Sequence, residues 1–194
     1  MTYDDYCRKT EFNRVELVAH ANGTLIQGPH PEIAALPTPP LLMLHRILDI
    51  THDGARGRIV GEHEISVDAW YFWCHFRHDP IQPGCLGIEA VWQLLGFYLT
   101  LRRAVGTGRA LGCREIDFFG QIRPYNKVVR FEVDIRRCSV LPESGTAIVI
   151  GTTRVLVDDK PVYTVTDARL GAFKGIRYPD YPQPSVNSYG GPSR

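Results

Sequence analysis

The sequence predicts an α+β fold in which a curved antiparallel β-sheet wraps around one long central helix. Three observations carry this. Residues 84–101, GCLGIEAVWQLLGFYLTL, are apolar nearly all round, and a helix of that kind has to be enclosed by other structure. Val129, Phe131, Val133 and Ile135 alternate with Arg130, Glu132, Asp134 and Arg136, the period of two of a strand with one buried face. Ala147 to Val157 is apolar and β-branched, Asp158-Asp159-Lys160-Pro161 is a turn, and Val162 to Phe173 returns as the second arm of a hairpin. Strands of this half-wet type supply the face that covers the helix.

Taken in order, residues 1–23 read as helical. Asn13-Arg14-Val15-Glu16 fits a capping box with Asn13 as N-cap. Leu17, Val18 and Ala21 continue the segment and Asn22-Gly23 stops it. Residues 28–40 hold five prolines and form an extended connector. Leu41 to Ile50 is apolar, with His45 and Arg46 inserted. A strand series begins with Arg58 to Ile65, and Gly151 marks a bulge later in it. From Gly175 the chain reads GIRYPDYPQPSVNSYGGPSR, a composition too poor in apolar groups to pack. The expected organisation is one domain over residues 1–173 and a loosely ordered tail over 174–194.

A chain of 194 residues can bury a sizeable core as a single domain. Lys and Arg number 22 against 21 Asp and Glu, so no broad electrostatic footprint points to nucleic acid or to an anionic membrane. Cys7, Cys74, Cys85, Cys113 and Cys138 are scattered, odd in number and without a CxxC pair. They read as reduced thiols of a cytoplasmic protein. The opening MTYDDYCRKT has no apolar run behind a basic start, so no secretory signal is expected there. The 84–101 run is long enough to raise a membrane span. Glu89, Gln93, the glycines Gly84, Gly87 and Gly96, and the lack of a second span favour a buried core helix.

The chain is organised around Trp70 to Leu101. His75 lies in a cluster of aromatics, and Glu89 is the only charge between Asp79 and Arg102. A carboxylate inside an apolar helix costs free energy unless it is paired, hydrogen-bonded or neutralised. The run from His75 to Gly87, HFRHDPIQPGCLG, and its continuation AVWQLLGFY over residues 90–98 resemble the signature of bacterial 3-hydroxydecanoyl-acyl carrier protein dehydratases. The wider likeness extends from about Asn13 to Phe173 and takes in Leu36-Pro37, Arg109-Ala110-Leu111-Gly112, Gly120-Gln121 and Leu156-Val157-Asp158. It implies a hotdog fold and a homodimer with shared active sites. It also implies dehydration of 3-hydroxyacyl thioesters carried on the phosphopantetheine of acyl carrier protein, in fatty acid or related lipid or polyketide biosynthesis, and no further cofactor. The family has aspartate at the position of Glu89, where glutamate is similar to the sister dehydratases of fatty acid elongation. That difference leaves trans-2 to cis-3 isomerisation open. His45 stands where the family has aspartate.

Dehydration needs a base at the carbon beside the thioester carbonyl, an acid at the departing hydroxyl, and donors for the carbonyl oxygen. The resemblance gives these roles to His75, Glu89, and the backbone N–H groups of Gly84 and Cys85. Trp73 and Phe76 would favour neutral His75 by desolvation, and burial would favour a protonated Glu89. Other readings stay open: His75 as a satisfied core histidine, Glu89 as a structural partner of Arg102 or Arg109, Cys85 as a nucleophile rather than pocket lining. Cys74, His75, His78 and Asp79 match no zinc spacing. Trp92, Leu95, Phe97, Tyr98 and Phe118 divide between core and acyl tunnel, while Arg102, Arg103, Arg109 and Lys127 divide between carrier-protein contacts and solvated charge. A hotdog thioesterase and a non-catalytic acyl-binding subunit are the competing functions.

Overall fold

The computed structural model describes residues 1–141, 146–176 and 183. Two short helices open the chain, α1 (Tyr3–Arg8) and α2 (Arg14–Ala21). The capping box at Asn13 is present: Glu16 N–H donates to the Asn13 side chain and Asn13 N–H to the Glu16 carboxylate. Residues 1–23 are therefore two helices rather than one segment. Phe12 between them pairs through its backbone with Ile47 and ends the first helical stretch. The proline-rich connector leads to β1 (Arg46–Asp53) and β2 (Arg56–Glu64), and a 3₁₀ turn over Trp70–Trp73 precedes α3 (Gly84–Leu101). Then follow β3 (Thr107–Gly112), β4 (Glu115–Phe118), β5 (Val128–Val140), β6 (Ala147–Val157) and β7 (Lys160–Phe173).

The strands form one antiparallel sheet of order β1-β2-β5-β6-β7-β3, and β4 also pairs with β7. The expected sheet around a helix is borne out, with α3 lying against β2, β5, β6 and β7. The strand series starts earlier than Arg58, because β1 precedes β2, so two strands come before the helix. β3 and β4 arise in a stretch with no predicted strand. The hairpin is as expected: Asp158 and Asp159 both adopt positive φ, 48° and 64°, the two-residue turn that suits strand twist. The β6–β7 register shifts between Gly151 and Thr153, the bulge expected at Gly151. The predicted tail lies almost wholly outside the described residues.

Two features make α3 fit. Its buried face includes Ala90, Val91, Leu94, Leu95, Tyr98 and Leu101, spaced for the concave side of the sheet. At Gly87 a β-carbon would stand 1.7 Å from the Tyr163 hydroxyl oxygen, so only glycine lets α3 approach β7 at this level. By contrast, the buried carboxylate of the sheet, Glu62, is held between Arg46 at 2.8 Å and Arg130 at 3.0 Å across three adjacent strands. That is how a structural carboxylate is satisfied in this fold.

Two predictions follow from this packing. Helix propensity alone makes Gly87→Ala stabilising by about 1 kcal/mol, whereas the Tyr163 contact makes it destabilising by about 1–3 kcal/mol. The contact should win: thermal denaturation should show a lower Tm, partly restored in Gly87→Ala/Tyr163→Phe. A Tm above that of the parent would refute the packing. The second concerns His20 and His63, whose imidazoles burial pushes down to about 4 and about 3, with His45 and Arg14 adding to the effect at His63. The folded chain keeps both neutral at pH 5, while the unfolded chain takes up protons below about pH 6.5. Unfolding then binds protons, so stability is full above about pH 6.5 and falls by about 2 kcal/mol per histidine at pH 5. Calorimetry should show Tm dropping by several degrees from pH 7 to pH 5; a flat Tm would mean that these rings reach protons in the folded state.

Candidate active site

Pro83 occupies the N-cap of α3 and provides no side-chain cap, so the first N–H groups of the helix, those of Gly84 and Cys85, point out unpaired. The helix dipole adds partial positive charge there. Gly84 leaves room that a side chain would fill, since a β-carbon would meet the Phe118 ring at 2.7 Å. The helix end opens on a cavity of about 840 Å³ lined by Gly84, Ile81, Gln82, Phe118, Ile122 and Tyr163 among others.

His75 follows the 3₁₀ turn and is fixed on three sides. Its N–H donates to Tyr71 O at 2.9 Å, and its carbonyl accepts from Ile81 N–H at 2.8 Å. Its Nδ1 lies 3.1 Å from Ile81 O. A carbonyl only accepts, so Nδ1 carries a proton, and in the neutral ring Nε2 is the nitrogen with the lone pair. Arg123 pairs with Asp79 and holds the His75 loop against the segment that lines the cavity. Of the aromatic neighbours, the Phe76 ring packs on His75 at 3.8 Å between centroids, while Trp73 is 76% exposed. The Ile81 carbonyl, rather than desolvation by Trp73 and Phe76, sets the proton position. His75 is half-buried and is not a core histidine.

Glu89 sits on another face of α3, in a cavity of about 160 Å³ that is also lined by Leu36, Trp92, Gln93, Gly108 and Leu170. Gln93, one turn on, donates from Nε2 to Glu89 Oε1 at 3.0 Å and to Leu41 O at 2.8 Å, and accepts Met43 N–H at Oε1 at 2.9 Å. Both Gln93 N–H groups are thus used, and its orientation is fixed by the connector backbone. Glu89 makes no ion pair among the described residues: Arg102 donates to Gly54 O, Arg109 to Gly108 O and Arg103 to Asp4. The pairing of Glu89 with Arg102 or Arg109 is therefore not realised. Its Oε2 has no protein partner among the described residues.

His75 is tied through Ile81 to the lining of the Gly84 cavity without lining it itself, and Glu89 lies elsewhere. Five residues of helix place it about 7.5 Å farther along the axis and about 140° around it from Gly84, and the two cavities share no lining residue. The Cys85 side chain is exposed and does not line the Gly84 cavity, and its backbone N–H lies in the first turn of α3. Three further residues have buried polar atoms without protein partners: both side-chain polar atoms of Gln82 and the Tyr163 hydroxyl at the larger cavity, and Trp92 Nε1 at the Glu89 cavity. An amide between Ile81 and Pro83 is a sequence signal for Gln82. Trp92 and Tyr163 read as core.

Residues 36–166 match the model of the FabA-like domain. Among solved structures, the chain is similar to an uncharacterized protein from Erwinia carotovora subsp. atroseptica at 14% identity, covering 63% of this chain and 90% of that one, with a TM-score of 0.44. It is also similar to the dehydratase heterocomplex ApeI:P from Xenorhabdus doucetiae at 15% identity, covering 70% and 84%, with a TM-score of 0.45. A putative thioesterase from Shewanella oneidensis is 11% identical over 66% and 83%, with a TM-score of 0.44. The family match spans more than half of the chain and includes both the His75 loop and α3, so this protein belongs to the FabA-like domain family and has its hotdog fold.

Proposed function

We propose that this protein dehydrates 3-hydroxyacyl thioesters carried on the phosphopantetheine of acyl carrier protein, and that each active site is shared between two copies of the chain. The observation that carries the reading is the state of its two reactive groups. The His75 ring is oriented by the carbonyl of Ile81, a residue that lines the cavity at the free helix N–H groups, and Glu89 is held by Gln93 rather than by an arginine.

In this mechanism the thioester oxygen accepts hydrogen bonds from the N–H groups of Gly84 and Cys85. His75 Nε2 takes the proton from the carbon beside the carbonyl. The electrons of that C–H bond form the new double bond, and the C–O bond at the third carbon breaks. Glu89 protonates the departing oxygen, which leaves as water. His75 and Glu89 then return to their starting states by exchanging protons with solvent.

The sheet edge supports a shared site. β3 and β4 pair with successive lengths of β7, both antiparallel to it, so they run in the same direction along one edge. The Glu89 cavity is lined from β3 by Gly108 and Ala110, and the Gly84 cavity from β4 by Phe118. A two-fold axis through this edge would set the β3 end of one copy against the β4 end of the other, and so the Glu89 cavity of one copy against the Gly84 cavity of the other. Leu111, Phe118 and Phe119 are exposed along it, as an edge awaiting a partner requires.

With a 3-hydroxyacyl pantetheine thioester, enoyl product should form without release of free thiol. His75→Ala and Glu89→Ala should each lower turnover by about 10²–10⁴-fold while the protein stays folded by circular dichroism. Thiol release in place of enoyl product would favour a thioesterase, and neither product would favour an acyl-binding subunit. Retention of more than about a tenth of the activity by either variant would remove that residue from the mechanism.

A further inference from the structure

The chain leaves the sheet at the end of β2 and comes back to the site through the 3₁₀ turn over Trp70–Trp73. The last buried residues of β2 include two polar ones, Glu62 and His63. Glu62 meets Arg46 and Arg130. His63 meets the turn: its Nε2 lies 3.3 Å from the Tyr71 hydroxyl in a buried hydrogen bond. β2 pairs with β1 on one side and β5 on the other, where His63 stands opposite Val129, so the histidine is carried by fixed backbone. Burial, the His45 ring at 4.8 Å and Arg14 keep His63 uncharged, so the bond joins two neutral groups.

Tyr71 passes this anchor on to His75. Its carbonyl accepts from His75 N–H at 2.9 Å and from Cys74 N–H at 3.4 Å. Its ring packs on those of Trp70 and Phe72 at 5.7 and 4.6 Å between centroids, so ring and turn move as one body. Within the turn Tyr71 and Phe72 are buried while Trp70 and Trp73 are exposed, and Tyr71 is the one joined to the sheet by a side-chain hydrogen bond. His75 is thus tied at its ring to Ile81 and at its backbone, through Tyr71, to β2.

We propose that His63 is a positioning residue of the reaction: by holding the Tyr71 hydroxyl it fixes the turn from which His75 hangs, and so sets where the base stands. Its effect on turnover rests on the dehydratase reading above. A reacting group misplaced by about 1 Å can lose about 10²-fold in rate, and one neutral hydrogen bond is worth about tenfold. Cutting the tie should therefore lower kcat by about 10–10²-fold and leave KM within about twofold, because the thioester oxygen is bound at Gly84 and Cys85.

The test separates position from stability in the full-length protein. Tyr71→Phe removes one oxygen and strands His63 Nε2, so it should lower both Tm and kcat. Tyr71→Phe/His63→Leu removes both partners and should regain most of the lost Tm, because no buried polar atom of the pair is left unpaired, yet keep the low kcat. His63→Gln, whose amide reaches the place of Nε2, should restore kcat to within about threefold of the parent. The His75 Nδ1 resonance in ¹⁵N-histidine spectra, which reports the bond to Ile81 O, should move in the first two variants and return towards the parent in His63→Gln. A purely structural bond gives the opposite pattern: kcat follows Tm, and the His75 resonance stays put in every folded variant. Parent-like kcat in the folded double variant, or an unmoved His75 resonance there, would overturn the proposal. If the parent does not turn over 3-hydroxyacyl pantetheine thioesters, the dehydratase reading fails, and the His75 resonance still decides whether His63 holds that ring.

Discussion

Enclosure of α3 is the constraint on which the rest of this structure depends. The helix is apolar enough and long enough to cross a membrane, and 67% of it is buried within this fold. An antiparallel sheet can wrap it only where the helix leaves room for side chains of the facing strands, as Gly87 does for Tyr163. Burial of the helix body leaves its N-terminus as the place where unpaired N–H groups meet a cavity. It also means that any carboxylate on the helix has to be managed. Glu62 in the sheet is managed by two arginines. Glu89 is managed by one neutral amide, which orients it without neutralising it.

Those different solutions separate structural from chemical carboxylates more clearly than burial does. Gln93 gives its two N–H groups to Glu89 and Leu41 O and accepts from Met43 N–H, so the connector that wraps the helix also aims the carboxylate. The Ile81 carbonyl does the corresponding work for His75 by accepting a hydrogen bond from Nδ1–H. Buried donors and acceptors have few alternative partners, which is why single backbone carbonyls can fix protonation in this chain.

The sequence made part of this legible. α3, β5 and the β6–β7 hairpin announce themselves because their burial is periodic, and the Asn13–Glu16 capping box is a local signal that needs no tertiary context. β1 was hidden because Asp49, Thr51, His52 and Asp53 are polar and a register shift between Ile47 and Asp49 breaks the period. β3 and β4 were hidden because no residue in either is buried. His75, Gly84 and Glu89 were legible as exceptions to their surroundings. The significance of Gln82, Trp92 and Tyr163 lies in polar atoms without partners, which only the packed chain reveals.

The central claim is that His75 of one copy works with Glu89 of another. The most direct test is to unfold and refold His75→Ala and Glu89→Ala together, confirm mixed dimers by native mass spectrometry, and measure dehydration. A mixed dimer carries one doubly defective site and one intact site, so the shared-site arrangement predicts that activity returns, up to about half of the parent activity per mixed dimer. Mixed dimers that form and stay inactive would contradict it and assign both groups to one chain.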